Sequence, residues 1–339
     1  MMATASSGRP KLLLVSLGGT ITMTSGAGEG IVPTLTGADL VAAVPALAEV
    51  ADIEIVSLFR LPGPSLTLAH LRQVARLLNE RLAGDIVGAI VVQGTDTIEE
   101  TAFVLDLLVG GDKPVVVTGA MRGAEAPGAD GPANLLASTI VAASQVACGL
   151  GTLVVLNDTI HAARFVQKAS TFLPSSFASL SGGLLGSIIE GAAQIDVRVT
   201  RVAVIERGDE GGDQPVALLT AALGDDGRML PALPGLGYRG LVVEAMGAGH
   251  VPSAMVPALA SLTEIFPVVL SSRVASGPVF GRTYGFPGSE TDLIGRGLIP
   301  SGALGGVKSR LLLSLLLGVG MQGNQLRETF VRMSHPSSQ

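Results

Sequence analysis

Residues 11–24 read KLLLVSLGGTITMT, and the reading of this stretch decides the fold. An apolar run rich in Leu and Val ends on Gly18 and Gly19, and threonines follow at 20, 22 and 24. The run has the length and composition of a buried strand, and two glycines are turn chemistry. Thr20 is then either a simple turn residue or something chemical. In an α/β protein the carboxyl ends of the strands are where ligands bind, and a hydroxyl placed there can act as a nucleophile.

Outward from this stretch the pattern repeats. DIEIVSLF (52–59), GAIVVQG (88–94), PVVVTGAM (114–121) and TLVVLND (152–158) read as strands, with helical segments such as LTLAHLRQVARLLNERL (66–82) and IEETAFVLDLL (98–108) between them. Alternating strands and helices predict a parallel-type sheet flanked by helices, with its ligand edge at the strand carboxyl ends. Thr97 to Glu100 has the T-x-x-E spacing of a capping box at a helix start. Charges and glycines cluster at IERGDEGGDQ, so residues 205–214 are assigned as a linker between domains 11–204 and 215–339. Beyond the linker, VALLTAAL, GLVVEAMGAG, FPVVLSSRV and the helix GVKSRLLLSLLLGVG predict a smaller C-terminal α/β domain. Residues 1–10 read as a disordered lead-in without the apolar core of a signal peptide.

Composition narrows the function. The 339 residues carry a net charge of −6 and 47% hydrophobic residues, enough to fill two cores. The mean hydropathy of +0.53 suggests a membrane. However, the uncharged run Leu135 to Asn157 is broken by Ser138, Thr139, Ser144, Gln145, Gly149 and Gly151, and reads as a helix containing Cys148, a glycine stop and a strand. A lone cysteine permits no intramolecular disulfide and fits a cytoplasmic protein. Without a basic stripe, nucleic acid is not expected as a partner. The histidines at 70, 161, 250 and 335 have no metal-ligand spacing, so no metal and no cofactor are expected.

Polar clusters stand at three strand ends: Thr20, then Gly94-Thr95-Asp96-Thr97, then Asn157-Asp158-Thr159. If these strands are adjacent and parallel, the clusters converge on one crevice. Lys168, one of only four lysines, lies about ten residues beyond the third cluster. Each residue alone has a plain reading, Thr95 and Asp96 as helix caps and Lys168 as a solvated cation. A cap needs one oxygen, whereas GTDT offers three side-chain oxygens before a helix. The phosphate-binding patterns G-x-G-x-x-G and G-x-x-x-x-G-K-[ST] are absent.

Together, GGTI (18–21), GTDTIEETA (94–102), GAMR (119–122) with ADGPAN (129–134), LNDT (156–159) with a lysine nine residues beyond its threonine, and SSRVASG (271–277) resemble the bacterial-type L-asparaginase and glutaminase-asparaginase family over nearly the whole chain. The resemblance implies an amidohydrolase that works through a threonine-linked acyl-enzyme, without cofactor, in homotetramers whose sites form between paired subunits. It implies Thr20 as nucleophile and Thr95, Asp96 and Lys168 as an opposing triad. Gly19, Gly94, Thr95 and Asp96 would touch substrate. Ser65 in LPGPSLT, with its neighbours Gly63 and Pro64, would bind the substrate carboxylate, and Glu290 from a neighbouring subunit would complete the ammonium site.

Three positions depart from the family pattern. Gln93 stands where a histidine is common, and His250 where an asparagine is common. The lid TMTSGAGEGIVP (22–33) lacks the tyrosine thought to help activate the nucleophile; the chain's two tyrosines are Tyr238 and Tyr284. Glycines at 26, 28 and 30 predict a mobile flap there. The expected activity is hydrolysis of L-asparagine to aspartate and ammonia. The alternatives are a broader glutaminase-asparaginase, a non-catalytic amino-acid-binding homologue and an ammonia-supplying amidotransferase subunit.

Overall fold

Strand β1 (Lys11–Ser16) occupies the position its sequence demands, with Leu12 to Val15 fully buried inside a sheet. The computed structural model describes residues 8–19, 36–207 and 210–334, and the backbone alone of 23–25 and 31–33. Thr20 and the flap glycines 26, 28 and 30 therefore lie outside the described residues. The described chain divides into two compact units, residues 1–201 and 202–339.

In the first unit the elements follow β1 in the order β2 (Met23–Ser25), β3 (Ile31–Pro33), α1 (Gly37–Ala42), α2 (Leu47–Val50), β4 (Asp52–Ser57), α3 (Leu68–Leu82), β5 (Gly88–Val92), α4 (Ile98–Leu108), β6 (Val115–Thr118), α5 (Gly131–Ala143) and β7 (Thr152–Leu156). After them come β8 (Thr159–Ala162), β9 (Gln167–Lys168), β10 (Phe177–Ala178), β11 (Gly186–Ile189) and β12 (Ala192–Ile195). The main sheet has the order β12-β11-β8-β7-β6-β5-β1-β4. From β4 to β7 the strands run parallel. The chain steps from β1 outward to β4, then returns across β1 to β5. This reversal is a topological switch point, and it leaves a crevice at the carboxyl ends of β1 and β5.

Packing explains the long apolar runs. Leu12, Leu14, Ile90, Val92, Val116 and Leu153 join Leu40, Leu47, Leu135 and Val141 in one core cluster, which puts α1, α2 and α5 on one face of the sheet. Helices α3 and α4 pack against β5, β6 and β7. Both faces of the parallel strands are thus covered, as such strands require. Amphipathic α3 buries Leu71, Val74, Ala75, Leu78 and Leu82 at helical spacing, and Thr67 caps it by accepting from the His70 amide.

Three expectations need correction. The third strand end does not open into a crossover: Asn157 and Asp158 adopt left-handed φ of 51° and 57° and turn β7 straight into antiparallel β8. Two positive φ values are what a two-residue hairpin turn requires, and the sheet beyond β7 is antiparallel as a result. The Thr97–Glu100 capping box does not form, because the Thr97 hydroxyl is engaged with another loop. Cys148 lies just after a one-turn 3₁₀ helix, Gln145–Ala147, and outside α5, which ends at Ala143.

The second unit carries a parallel sheet in the order β13 (Val216–Thr220), β14 (Gly240–Ala245), β15 (Val268–Ser272) and β16 (Ile299–Pro300). Helices α6 (Val256–Thr263), α7 (Glu290–Gly295), α8 (Gly306–Gly318) and α9 (Gly323–Ser334) accompany it. No helix among the described residues is long and apolar enough to cross a membrane.

Candidate active site

The two glycines after β1 are there because the backbone has no room for anything else. Gly18 and Gly19 have φ of +105° and +97°, a region L-residues rarely adopt. A Cβ on Gly18 would lie 2.6 Å from the Leu61 carbonyl oxygen, and one on Gly19 would lie 1.9 Å from the Gly94 amide nitrogen. The chain entering Thr20 is therefore wedged against the turn that follows β5. The Leu17 amide, donating to the Val92 carbonyl at 2.8 Å, continues the β1 and β5 pairing up to this wedge.

After β5 comes a 3₁₀ turn, Thr95–Thr97, which leads directly into α4. Thr95 is buried, whereas the Asp96 side chain is 62% exposed. Lys168 reaches this turn from β9, which is held by pairing with β10 across Lys168 and Phe177. Its ammonium donates to Thr95 Oγ1 at 3.0 Å and to Asp96 Oδ1 at 2.6 Å. With 17% of its side chain exposed, Lys168 is not a solvated cation. A hydroxyl, an amine and a carboxylate, from positions more than 70 residues apart, share one hydrogen-bonded group.

Around this group the loops are tied together by side chains. Asp130 accepts from the amides of Met121 and Arg122. Buried Asn134 donates to the Gly119 carbonyl at 3.0 Å and accepts from the Asn157 amide at 2.8 Å. The GAMR and ADGPAN motifs are thus two halves of one loop lock, and the third strand end meets the site's surroundings through Asn134. Thr159 turns inward: it donates to the Leu156 carbonyl and lies 3.0 Å from His161 Nε2. Burial pushes the His161 imidazole down to about 4. Gly63–Ser65 forms a short 3₁₀ turn with Gly63 buried and Ser65 exposed.

Glu290 is in the second unit and is not a solvated loop acid. Its side chain is fully buried at the start of α7. Oε1 accepts from the amides of Thr283 and Tyr284 at 2.9 and 2.8 Å, and Oε2 lies 3.3 Å from His250 Nε2. Burial pushes its carboxyl up, but the two amides and His250 outweigh that and hold it below the usual carboxylate value. Tyr284 and Phe286 stand edge-on to the His250 ring, at 4.7 and 5.2 Å between centroids.

Known proteins resemble this chain along most of its length. The family profile described as Asparaginase, N-terminal matches residues 11–201, and that described as Glutaminase/Asparaginase C-terminal domain matches residues 215–330. The chain is 35% identical to a probable L-asparaginase of Deinococcus radiodurans, covering 95% of this chain and 98% of that one. It is 30% identical to an L-asparaginase of Bacillus licheniformis, covering 92% and 97%. A crystal structure described as a probable cytoplasmic L-asparaginase from Campylobacter jejuni superposes with a TM-score of 0.85 at 29% identity, covering 95% of this chain and 99% of that one.

Proposed function

The chain belongs to the asparaginase family, and from that premise we propose that it hydrolyses the side-chain amide of L-asparagine to aspartate and ammonia through a threonine acyl-enzyme. The observation that carries this reading is Lys168 bonded to both Thr95 and Asp96, beside the Gly94 turn on which the chain entering Thr20 is wedged.

In this reading the Thr20 hydroxyl oxygen attacks the carboxamide carbon and forms a tetrahedral oxyanion. The C–N bond then breaks, the nitrogen leaves as ammonia after taking a proton, and an aspartyl ester remains on Thr20. The Thr95, Lys168 and Asp96 group supplies the proton relay. Water hydrolyses the ester with the same group acting in the opposite sense. Backbone N–H groups at the Thr95 turn are the oxyanion donors, each typically worth about 10² to 10³ in rate. Exposed Asp96 pairs with the substrate ammonium, and the Gly63–Ser65 turn receives its carboxylate, with Gly19 and Gly94 also touching the substrate. Glu290 anchors its own 283–284 loop, and that loop is the part a neighbouring subunit would present in the homotetramer. A cytoplasmic location completes the proposal.

The test is ammonia release by the purified protein from L-asparagine and from L-glutamine. One methylene separates the two, worth only about 1 to 3 kcal/mol of discrimination. Turnover of asparagine supports the proposal. Binding of either amino acid without ammonia release would replace it with the non-catalytic reading.

A further inference from the structure

Gln93 sits between β5 and the Thr95 turn, fully buried, and its carboxamide orientation is forced by its partners. Nε2 lies 3.2 Å from the Gly94 carbonyl oxygen, which can only accept, so the NH₂ end must face it. Nε2 also lies 3.1 Å from Thr97 Oγ1, while Thr97 Oγ1 lies 3.1 Å from the Gly63 carbonyl. The Gly63 carbonyl oxygen again can only accept. The Thr97 hydroxyl therefore gives its proton to Gly63 and its lone pair to Gln93. The chain of donors runs one way, from Gln93 through Thr97 to Gly63, with a second branch from Gln93 to Gly94.

The two backbones are also in close contact. A Cβ on Gly94 would lie 3.1 Å from the Gly63 amide nitrogen, and one on Gly63 would lie 3.2 Å from the Gly94 carbonyl oxygen. Side-chain bonds and backbone packing thus join the 63–65 turn to the 94–97 turn. Holding them has a cost: Gln93 Oε1 is buried with no partner among the described residues. A buried acceptor left unpaired calls for an explanation in what the rest of the side chain does. A neutral imidazole carries one N–H and could not serve both acceptors.

We infer that Gln93, acting through Thr97, is a positioning residue that sets the separation between the carboxylate-binding turn at Gly63–Ser65 and the Thr95–Asp96 turn. The inference rests on the proposed reaction, since it is the substrate that spans the two turns. It also explains why Thr97 abandons its capping role: the hydroxyl that would have closed the helix start is used to fasten the neighbouring turn.

The experiment compares wild type, Thr97→Val, Thr97→Ser and Gln93→Met for kcat and KM on L-asparagine, together with amide hydrogen exchange at Ser65 and Leu66. Thr97→Val keeps the shape and removes both bonds. It should raise KM about tenfold or more while kcat stays within a few-fold, because binding across the two turns loosens before the reacting groups do. Thr97→Ser should restore KM. Gln93→Met should raise KM similarly and also lower kcat, since its Gly94 bond holds the Thr95 turn itself. Exchange at Ser65 and Leu66 should quicken in Thr97→Val and Gln93→Met. A Thr97→Val enzyme with wild-type KM, whatever its melting temperature, would overturn the inference. If wild type itself released no ammonia, the amidohydrolase reading would fail and the positioning role with it, while the exchange rates would still report whether the clamp exists.

Discussion

Gly19 and Gly94 lie so close that a single methyl on Gly19 would fall 1.9 Å from the Gly94 amide nitrogen. The contact joins the ends of β1 and β5 at the point where the strand order reverses, and it ties the GGT and GTDT motifs to each other through backbone alone. Gly19→Ala should therefore do two things. At φ +97° the alanine is strained by about 1 to 3 kcal/mol. The clash must also push the two turns apart, and a misplacement near 1 Å costs kcat/KM on the order of 10²-fold. Thermal melting and steady-state kinetics check both. Full activity in a folded Gly19→Ala protein would show that the wedge has no bearing on the chemistry.

Lys168 has two acceptors in its grasp, Thr95 Oγ1 and Asp96 Oδ1. Lys168→Met should reduce kcat by about 10² to 10⁴, the usual range for removing a group that handles protons. Thr95→Val should produce a loss of the same order. The double variant should be little worse than either, because residues that act as a unit are not additive. Independent, multiplying losses would separate Lys168 from Thr95 functionally.

Thr95 and Asp96 were legible because a strand-end rule applies to them, whereas Lys168, on β9, stands out only as one of four lysines. The alternation of runs from KLLLVS to TLVVL implies parallel strands, and parallel strands gather their carboxyl ends. What escaped depends on contacts between distant segments. The Thr97 capping box is correct as a local pattern, but the Gly63 carbonyl, 34 positions earlier, competes for the hydroxyl and wins. The hairpin at Asn157 and Asp158 lacks the usual Asn-Gly signature, so nothing local distinguished it from a crossover. ADGPAN drew notice only as part of a family likeness; that Asp130 and Asn134 fasten Gly119 to Arg122 emerges only in three dimensions. Glu290 enters the sequence reading only through the family likeness, and no spacing rule foretells that two amides and a histidine will enclose it. Helix α9, polar in composition, has its buried stripe of Leu326, Phe330 and Met333 diluted by charges.

Buried His161 stays neutral in the folded chain, with an imidazole pushed down to about 4 by loss of solvent. Its ordinary value is 6.5, so between these limits the unfolded chain binds a proton that the folded chain does not. Stability attributable to this residue is fully present above pH 6.5 and is lost as the pH falls toward 4, to a total on the order of 3 kcal/mol. Denaturant titrations across that range should show a shallower acid slope for His161→Gln than for wild type. Identical slopes would mean that the imidazole titrates freely in the fold.

Glu290 closes the 283–284 loop from inside, and truncation would strand two amide donors. Glu290→Ala should destabilise the second unit by roughly 1 to 3 kcal/mol, the order expected when two part-buried amides lose a charged acceptor. Glu290→Gln, which keeps the acceptor for Thr283 and Tyr284, should lose less. Because the Glu290 carboxyl is held below its ordinary value, its contribution is present at neutral pH and fades as acid protonates it, so the gap between wild type and Glu290→Gln should narrow below pH 4.5. Equal stability of the alanine and glutamine variants would show that the two amides find other acceptors.

The Thr20 hydroxyl oxygen is the proposed acceptor of the acyl group, and the most direct measurement is the rate of ammonia release from L-asparagine by Thr20→Ala beside wild type. The expected result is a variant that melts with wild type and turns over slower on the order of 10³-fold or more. A folded Thr20→Ala enzyme working within a few-fold of wild type would contradict it.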